Sequence, residues 1–521
     1  MQTKKSLYVW LILIFLVASG FRLFRIELME YKADETINVF LATQLAFNNP
    51  LPPGGTVSSV GILNPPLFTY LLVPVTFLST NPRDIAIAIA LTNALGVCIF
   101  FFLVRRYYTL PLALFSTLLL SLAPWPILYS RKIWTQDLIF PLSVLFLFFL
   151  HEALLRKRKV FWLLCGISLA FLAQLHMGNV LIILLFLGYS LLRQLPLSWK
   201  WFLSGLALGS IPLLPYLLFQ FQSCIGCSAY TASSHPLNLS LLLHFLLPME
   251  LIGIANFGAM FGVDYPVFLN QYYPLGWIRY LQPLFILATV AGGILYWREN
   301  KKLRIIPYLF FSTPFVFMLL RLDTFAHYYL SLLPIASFFI GYCFTKMYLN
   351  QNTILKLVSI VLFGFVLCCF VIFDIAFFRF LSEHKSLKGD YGNSFLMSEA
   401  IAKKRLSEYA HYPEYQEMFI ASFVPLQSVS GPDTIASLVY PMQLTTEQLS
   451  DFDTRLIAVP GDPRIHLALT AYYTKTPLTE DTLRFLAEKT KTIPGYSPIF
   501  GAVLDEYINV NHLTKERLNF P

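Results

Sequence analysis

About eleven apolar windows, each near the length of a bilayer crossing, run through the first 378 residues of this 521-residue chain. They lie at 7–24, 86–104, 110–128, 138–150, 161–175, 180–192, 201–219, 276–296, 305–320, 328–344 and 357–378. Roughly 20 apolar residues in a helix span the hydrocarbon core. A backbone in that solvent must satisfy its own hydrogen bonds, which restricts such windows to helices. Charged residues make up 13% of the chain and hydrophobic ones 56%, with mean hydropathy +0.62. Soluble chains carry a charged fraction of about 25%. The expected fold is an all-α polytopic membrane bundle of about eleven transmembrane helices. The first window follows Lys4 and Lys5 and lacks a small-x-small cleavage site, so it reads as a retained anchor.

The distribution of basic residues tests this topology. With the N-terminus cytoplasmic, 16 of the 24 Lys and Arg before Arg379 fall in inner loops, among them Arg105, Arg106, Arg156, Lys157, Arg158 and Lys159. That is the bias the positive-inside rule requires. Only Glu152 and Glu299 of the acidic residues fall inside. Counting 65–78 or 240–263 as a crossing would invert every later loop, so both read as interfacial or re-entrant segments on the outer face. The net charge of +9 is then a sorting signature with no nucleic-acid partner implied. The same count places everything after Phe378 outside.

Three blocks follow. The anchor leads into an outer loop, 26–83, holding Asp34 and Glu35 and a Pro/Gly-rich stretch at 50–55. The bundle closes at residue 378, giving a transmembrane domain of 1–378. Residues 379–521 have ordinary charge content and read as a soluble extracytoplasmic α/β domain. Its expected helices are 394–409 and 479–489, and its expected strands 418–424 and 455–459. Cys224 and Cys227 form a C-x-x-C in an outer loop. It reads as a local disulfide, an inert pair or half of a metal site.

Polar clusters gather at the outer ends of the spans. Glu27, Glu30, Asp34 and Glu35 crowd the segment after the anchor, ahead of an amphipathic stretch at 36–47. Asp34 there is either a helix cap or a general base or metal ligand at the membrane rim. Arg131 and Lys132, in Tyr129-Ser130-Arg131-Lys132-Ile133-Trp134-Thr135-Gln136-Asp137, run against the positive-inside bias. They read as headgroup contacts beside an interfacial Trp134, or as a phosphate site. His327 and Tyr328, in Arg321–Tyr329, and His176, in Gln174–Asn179, lie at the same level.

Jointly these pieces resemble the GT-C superfamily of membrane glycosyltransferases. In particular they resemble the branch that holds the dolichyl-phosphate-mannose protein mannosyltransferases and the bacterial lipid A aminoarabinose transferases. The resemblance rests on Tyr31-Lys32-Ala33-Asp34-Glu35, Asn64-Pro65-Pro66-Leu67, Ser130 to Asp137, and His327-Tyr328-Tyr329 with Pro334. Asn-Pro often follows the tryptophan in that family, whereas Thr135-Gln136 stands here. The resemblance implies a polyprenyl-phosphate sugar donor and a lipid, glycan or protein acceptor at the outer face of the plasma (inner) membrane. It also implies Asp34 as base and Glu35 assisting or binding a divalent metal ion. Arg131, Lys132 and His327 would then bind the donor phosphate, and direct displacement would invert the sugar. A transporter or lipid flippase is the rival reading. It would place ionisable groups mid-membrane, where these windows are nearly bare. A catalytically silent protein whose tail binds a partner is a further rival.

Overall fold

The computed structural model describes residues 4–47, 54–56, 63–223, 245–255, 257–322 and 324–400. The expected tail strands, most of the tail, and the Cys224/Cys227 pair lie outside those residues. The chain forms two compact units: residues 1–30, 51–71 and 86–394 make the first, and 31–50, 72–85 and 395–521 the second.

Helices dominate, and no strand occurs among the described residues, only isolated bridges such as Glu30 with Ser394. Seven helices among them are long and apolar enough to cross a membrane: Ser6–Leu23, Pro82–Tyr107, Thr135–Arg156, Trp199–Phe221, Lys301–Leu319, Ala326–Tyr348 and Thr353–His384. The other four windows expected to cross are built differently. The window at 110–128 breaks after Leu122, because Pro124 and Pro126 cannot continue its hydrogen-bond ladder; Ala123 is extended and a short helix, Pro124–Leu128, follows. Those at 161–175 and 180–192 become Lys159–Leu175 and Val180–Leu192, of 17 and 13 residues. The window at 276–296 opens as a 3₁₀ turn, Gly276–Leu281, before Gln282–Glu299. Leu67–Thr76, at 10 residues, is about half the length a crossing needs.

The boundary expected at Phe378 falls inside a helix. Thr353–His384 continues past the apolar run through an Arg379–Glu383 pair at 3.1 Å and ends where Lys385 turns left-handed at φ 62°.

Helix contact relies on small residues where backbones approach closely, as in membrane interiors generally. Lys159–Leu175 and Trp199–Gly209 cross at Gly166 and Gly205. A Cβ on Gly205 would lie 2.0 Å from the Leu163 carbonyl oxygen, and one on Gly166 would lie 2.3 Å from that of Phe202. Backbone cannot yield there as a side chain tip could. Gly205→Ala is therefore expected to destabilise the protein by about 1–3 kcal/mol through overpacking, read as a lower unfolding midpoint in detergent.

Polar groups around the loop after Arg156 are closed on one another. His151 Nδ1 lies 2.7 Å from the Leu147 carbonyl, which only accepts, so Nδ1 carries the proton and Nε2 receives the Tyr108 hydroxyl at 3.0 Å. Tyr296 in turn donates to Tyr108 at 2.6 Å. Glu152, 1% exposed, receives Arg106 at 2.7 Å and the Tyr107 hydroxyl at 2.6 Å.

Candidate functional site

In the second unit, Asp34 and Glu35 occupy the first turn of the helix Ala33–Phe47. That turn leaves backbone N–H groups without helical partners, and Glu35 meets one of them. Its Oε2 accepts the Lys32 N–H at 2.8 Å, the return half of a capping box. The Thr36 hydroxyl donates to the Lys32 carbonyl at 2.6 Å. Glu35 is 2% exposed, while Asp34 is half-buried. Sequence reasoning offered Asp34 as a cap; the structure shows Glu35 serving as one. The turn is braced by Tyr31, packed edge-on to Phe395 at 5.2 Å, with the Ser398 hydroxyl donating to its carbonyl at 3.3 Å. Burial, and then the Glu35 carboxylate, push the Tyr31 hydroxyl well above its usual pKa, so it stays protonated.

In the first unit, Arg131 and Lys132 have separate partners. Arg131 Nη1 donates to the carbonyls of Phe21 and Phe24, both at 2.6 Å, and Nη2 to that of Arg25 at 2.7 Å. Phe21 lies in the last turn of the anchor helix Lys4–Leu23 and the other two directly follow it, where a cation also meets the negative end of the helix dipole. The guanidinium lies 4.3 Å from the Phe378 ring centre and is 3% exposed. Burial lowers its pKa to about 10, with Tyr391 and Asp374 opposing, so it remains charged at neutral pH. The phosphate-binding role expected of Arg131 thus meets a guanidinium already committed to backbone. Arg22 does the reciprocal job, donating to Leu120 at 2.9 Å and Ser121 at 3.3 Å, the final carbonyls of Leu110–Leu122. Asp374, 2% exposed, is the acidic neighbour of both arginines. Sequence reasoning passed over Arg22 and Asp374. Each is an ionised type near the outer end of an apolar window, a pattern that marks paired or functional groups.

Lys132 faces the polar cluster. Its Nζ pairs with Glu30 at 2.8 Å, both side chains under 10% exposed. It also lies 4.3 Å from the Trp134 ring centre and 5.6 Å from that of Tyr129. From there a continuous strip runs through three segments distant in sequence. Trp134 packs on His327 at 4.8 Å, His327 on His176 at 5.7 Å, and His176 on Tyr328 at 4.5 Å. Trp134 is held by the turn Thr135–Leu138, where the Asp137 carboxylate accepts the Trp134 N–H at 3.4 Å and Asn93 binds the Asp137 carbonyl at 2.9 Å. Tyr329 beside the strip is tied to Thr324 at 2.9 Å. So Lys132, Trp134, His327, His176 and Tyr328 do converge. Glu30, noted in the sequence only as one of a crowd of acids, is the cation's partner.

The sequence matches no family model and no curated protein. Two crystal structures of ArnT from Cupriavidus metallidurans align with the chain. One, bound to undecaprenyl phosphate, shares 12% identity over 90% of this chain and 89% of its own, at a TM-score of 0.49. The other, in the apo state, shares 10% identity over 92% and 91%, also at 0.49.

Among the described residues no three His, Cys, Asp or Glu side chains gather as metal ligands.

The strip offers a partly shielded cation, two imidazoles and aromatic faces near the ends of apolar helices. Such a set can hold a phosphate anion and the ring of an attached sugar. A buried Lys–Glu pair is a poor source of stability, because desolvation offsets its attraction.

Proposed function

We propose that this chain is a membrane glycosyltransferase that moves a sugar from a polyprenyl-phosphate donor to a lipid, glycan or protein acceptor at the outer face. The observation that carries the reading is the strip from Lys132 to Tyr328: one cation with two imidazoles and stacked aromatic rings, drawn from three outer segments. The motif pattern of Asp34-Glu35, Asn64-Pro65-Pro66 and His327-Tyr328-Tyr329 supports it.

In this reading Asp34 takes the proton of the acceptor hydroxyl. The acceptor oxygen forms its bond to the anomeric carbon as the bond from that carbon to the phosphate oxygen breaks, with inversion. The leaving polyprenyl phosphate gains a negative charge, which Lys132 offsets in a low-dielectric setting where such stabilisation is strong. Glu30 holds the ammonium before the donor arrives. His327 borders the phosphate, and Arg131 acts at one remove by fixing the end of the anchor helix.

The test is purified protein in liposomes with a polyprenyl-phosphate-linked sugar, following release of free polyprenyl phosphate. Release is expected, and Lys132→Met in a Glu30→Gln background, which leaves no buried charge unpaired, is expected to weaken binding of undecaprenyl phosphate at least tenfold. Movement of the intact donor across the bilayer with no release would support a flippase and overturn the reading.

A further inference from the structure

The far end of the strip carries chemistry that donor-phosphate binding does not use. His176 sits where the helix Lys159–Leu175 stops, with extended backbone at φ −155° and ψ 119°. Its Nδ1 accepts the backbone N–H of Gly178 at 3.2 Å. A backbone N–H only donates, so Nδ1 holds its lone pair and the neutral ring carries its proton on Nε2. Burial lowers the imidazolium pKa to about 4, so the neutral form persists across the physiological range. The titratable and charged neighbours along the strip are His327, Tyr328 and Lys132. None is a carboxylate, so none of them would draw a second proton onto the ring.

Gly178 is part of this arrangement. A Cβ there would meet His176 Cε1 and Nδ1 at 2.9 Å. The ring lies against the glycine, and that contact sets which nitrogen faces the backbone. No protein acceptor for Nε2 occurs among the described residues. The ring is only part-buried, and it stands two ring contacts from Lys132, through His327 and Trp134.

We infer that His176 is a specificity-determining residue for the donor sugar: a fixed, neutral Nε2–H donor that takes a hydroxyl oxygen and disfavours an ammonium group at the same position. The inference rests on the glycosyl-transfer reading, with Lys132 holding the phosphate and the attached sugar reaching along the aromatic strip. A hydroxyl supplies the lone pair that Nε2–H needs. An ammonium has three donors and no acceptor, so it would set donor against donor and leave both unsatisfied. Sites built around one hydrogen bond discriminate strongly for this reason.

The experiment compares two donors on the same polyprenyl phosphate, one with a neutral hydroxy sugar and one with the matching amino sugar. Wild-type protein is expected to favour the hydroxy sugar at least tenfold in kcat/KM. His176→Gln, which presents an acceptor oxygen as well as a donor, is expected to narrow the ratio to about threefold or less. Binding of undecaprenyl phosphate itself should stay unchanged. Gly178→Ala reaches the same end without altering the histidine, and it serves where the first variant folds poorly. Nitrogen-15 spectra of histidine-labelled protein should show His176 protonated at Nε2 from pH 5 to pH 8. Turnover with an unchanged ratio in both variants, or a proton on Nδ1, overturns this inference alone. A wild-type protein that consumes neither donor overturns the glycosyl-transfer reading and this inference with it.

Discussion

Replacing Asp34 by Asn is expected to cut sugar transfer by about 10²- to 10⁴-fold, the span typical of removing a positioned proton acceptor. The amide keeps the size of the carboxylate and cannot take a proton, so the loss should fall on turnover and leave donor binding near its original value. Folded yield should also hold, because Glu35 supplies a capping bond to this turn and the Asn amide keeps an oxygen that can accept a hydrogen bond. Glu35→Gln gives the contrast. Glutamine keeps an oxygen for the Lys32 N–H, so that variant should retain most activity if Glu35 only caps, and lose it if Glu35 shares the chemistry. Parallel measurement of release rate and donor affinity separates these outcomes. Full activity in Asp34→Asn would remove Asp34 from the mechanism.

Arg131→Met should act through the fold. It removes three hydrogen bonds to Phe21, Phe24 and Arg25, and one of the two cations beside Asp374. Removing one member of a buried charge group costs about 3–5 kcal/mol. For a chain this size that corresponds to a fall of about 3–5 °C in the unfolding midpoint. Arg131→Lys should recover little, since one ammonium cannot span three carbonyls as the planar fork does. A cavity of about 10 Å³, room for about one water, borders Arg131, Asp374, Glu30 and Tyr391, so a longer or bulkier replacement has nowhere to go. If Arg131→Met melts with the wild type yet fails to bind undecaprenyl phosphate, Arg131 returns to the phosphate site. The two neighbours thus separate by readout: Arg131 by stability, Lys132 by donor affinity.

Helical class was legible because it rests on quantities local in sequence. Hydropathy decides which windows leave water, and loop charge decides which ends face inward. Individual roles were not legible. Arg131 and Lys132 are adjacent, both cationic and both outside, and periodicity cannot say that one meets the end of the anchor helix while the other meets Glu30. Helix breaks were not legible for a related reason: 110–128 carries no charge, yet Pro124 divides it, and hydropathy averages over that break.

By itself, the sequence determined that the chain is a helical integral membrane protein, because solvent transfer acts residue by residue. Only the tertiary structure decided which polar groups share a site. Bringing Lys132, Trp134, His327 and His176 into one strip, and turning Arg131 away to the carbonyls of the anchor helix, depends on how helices from distant segments pack, and helix packing is set by shape at contacts the linear pattern does not contain.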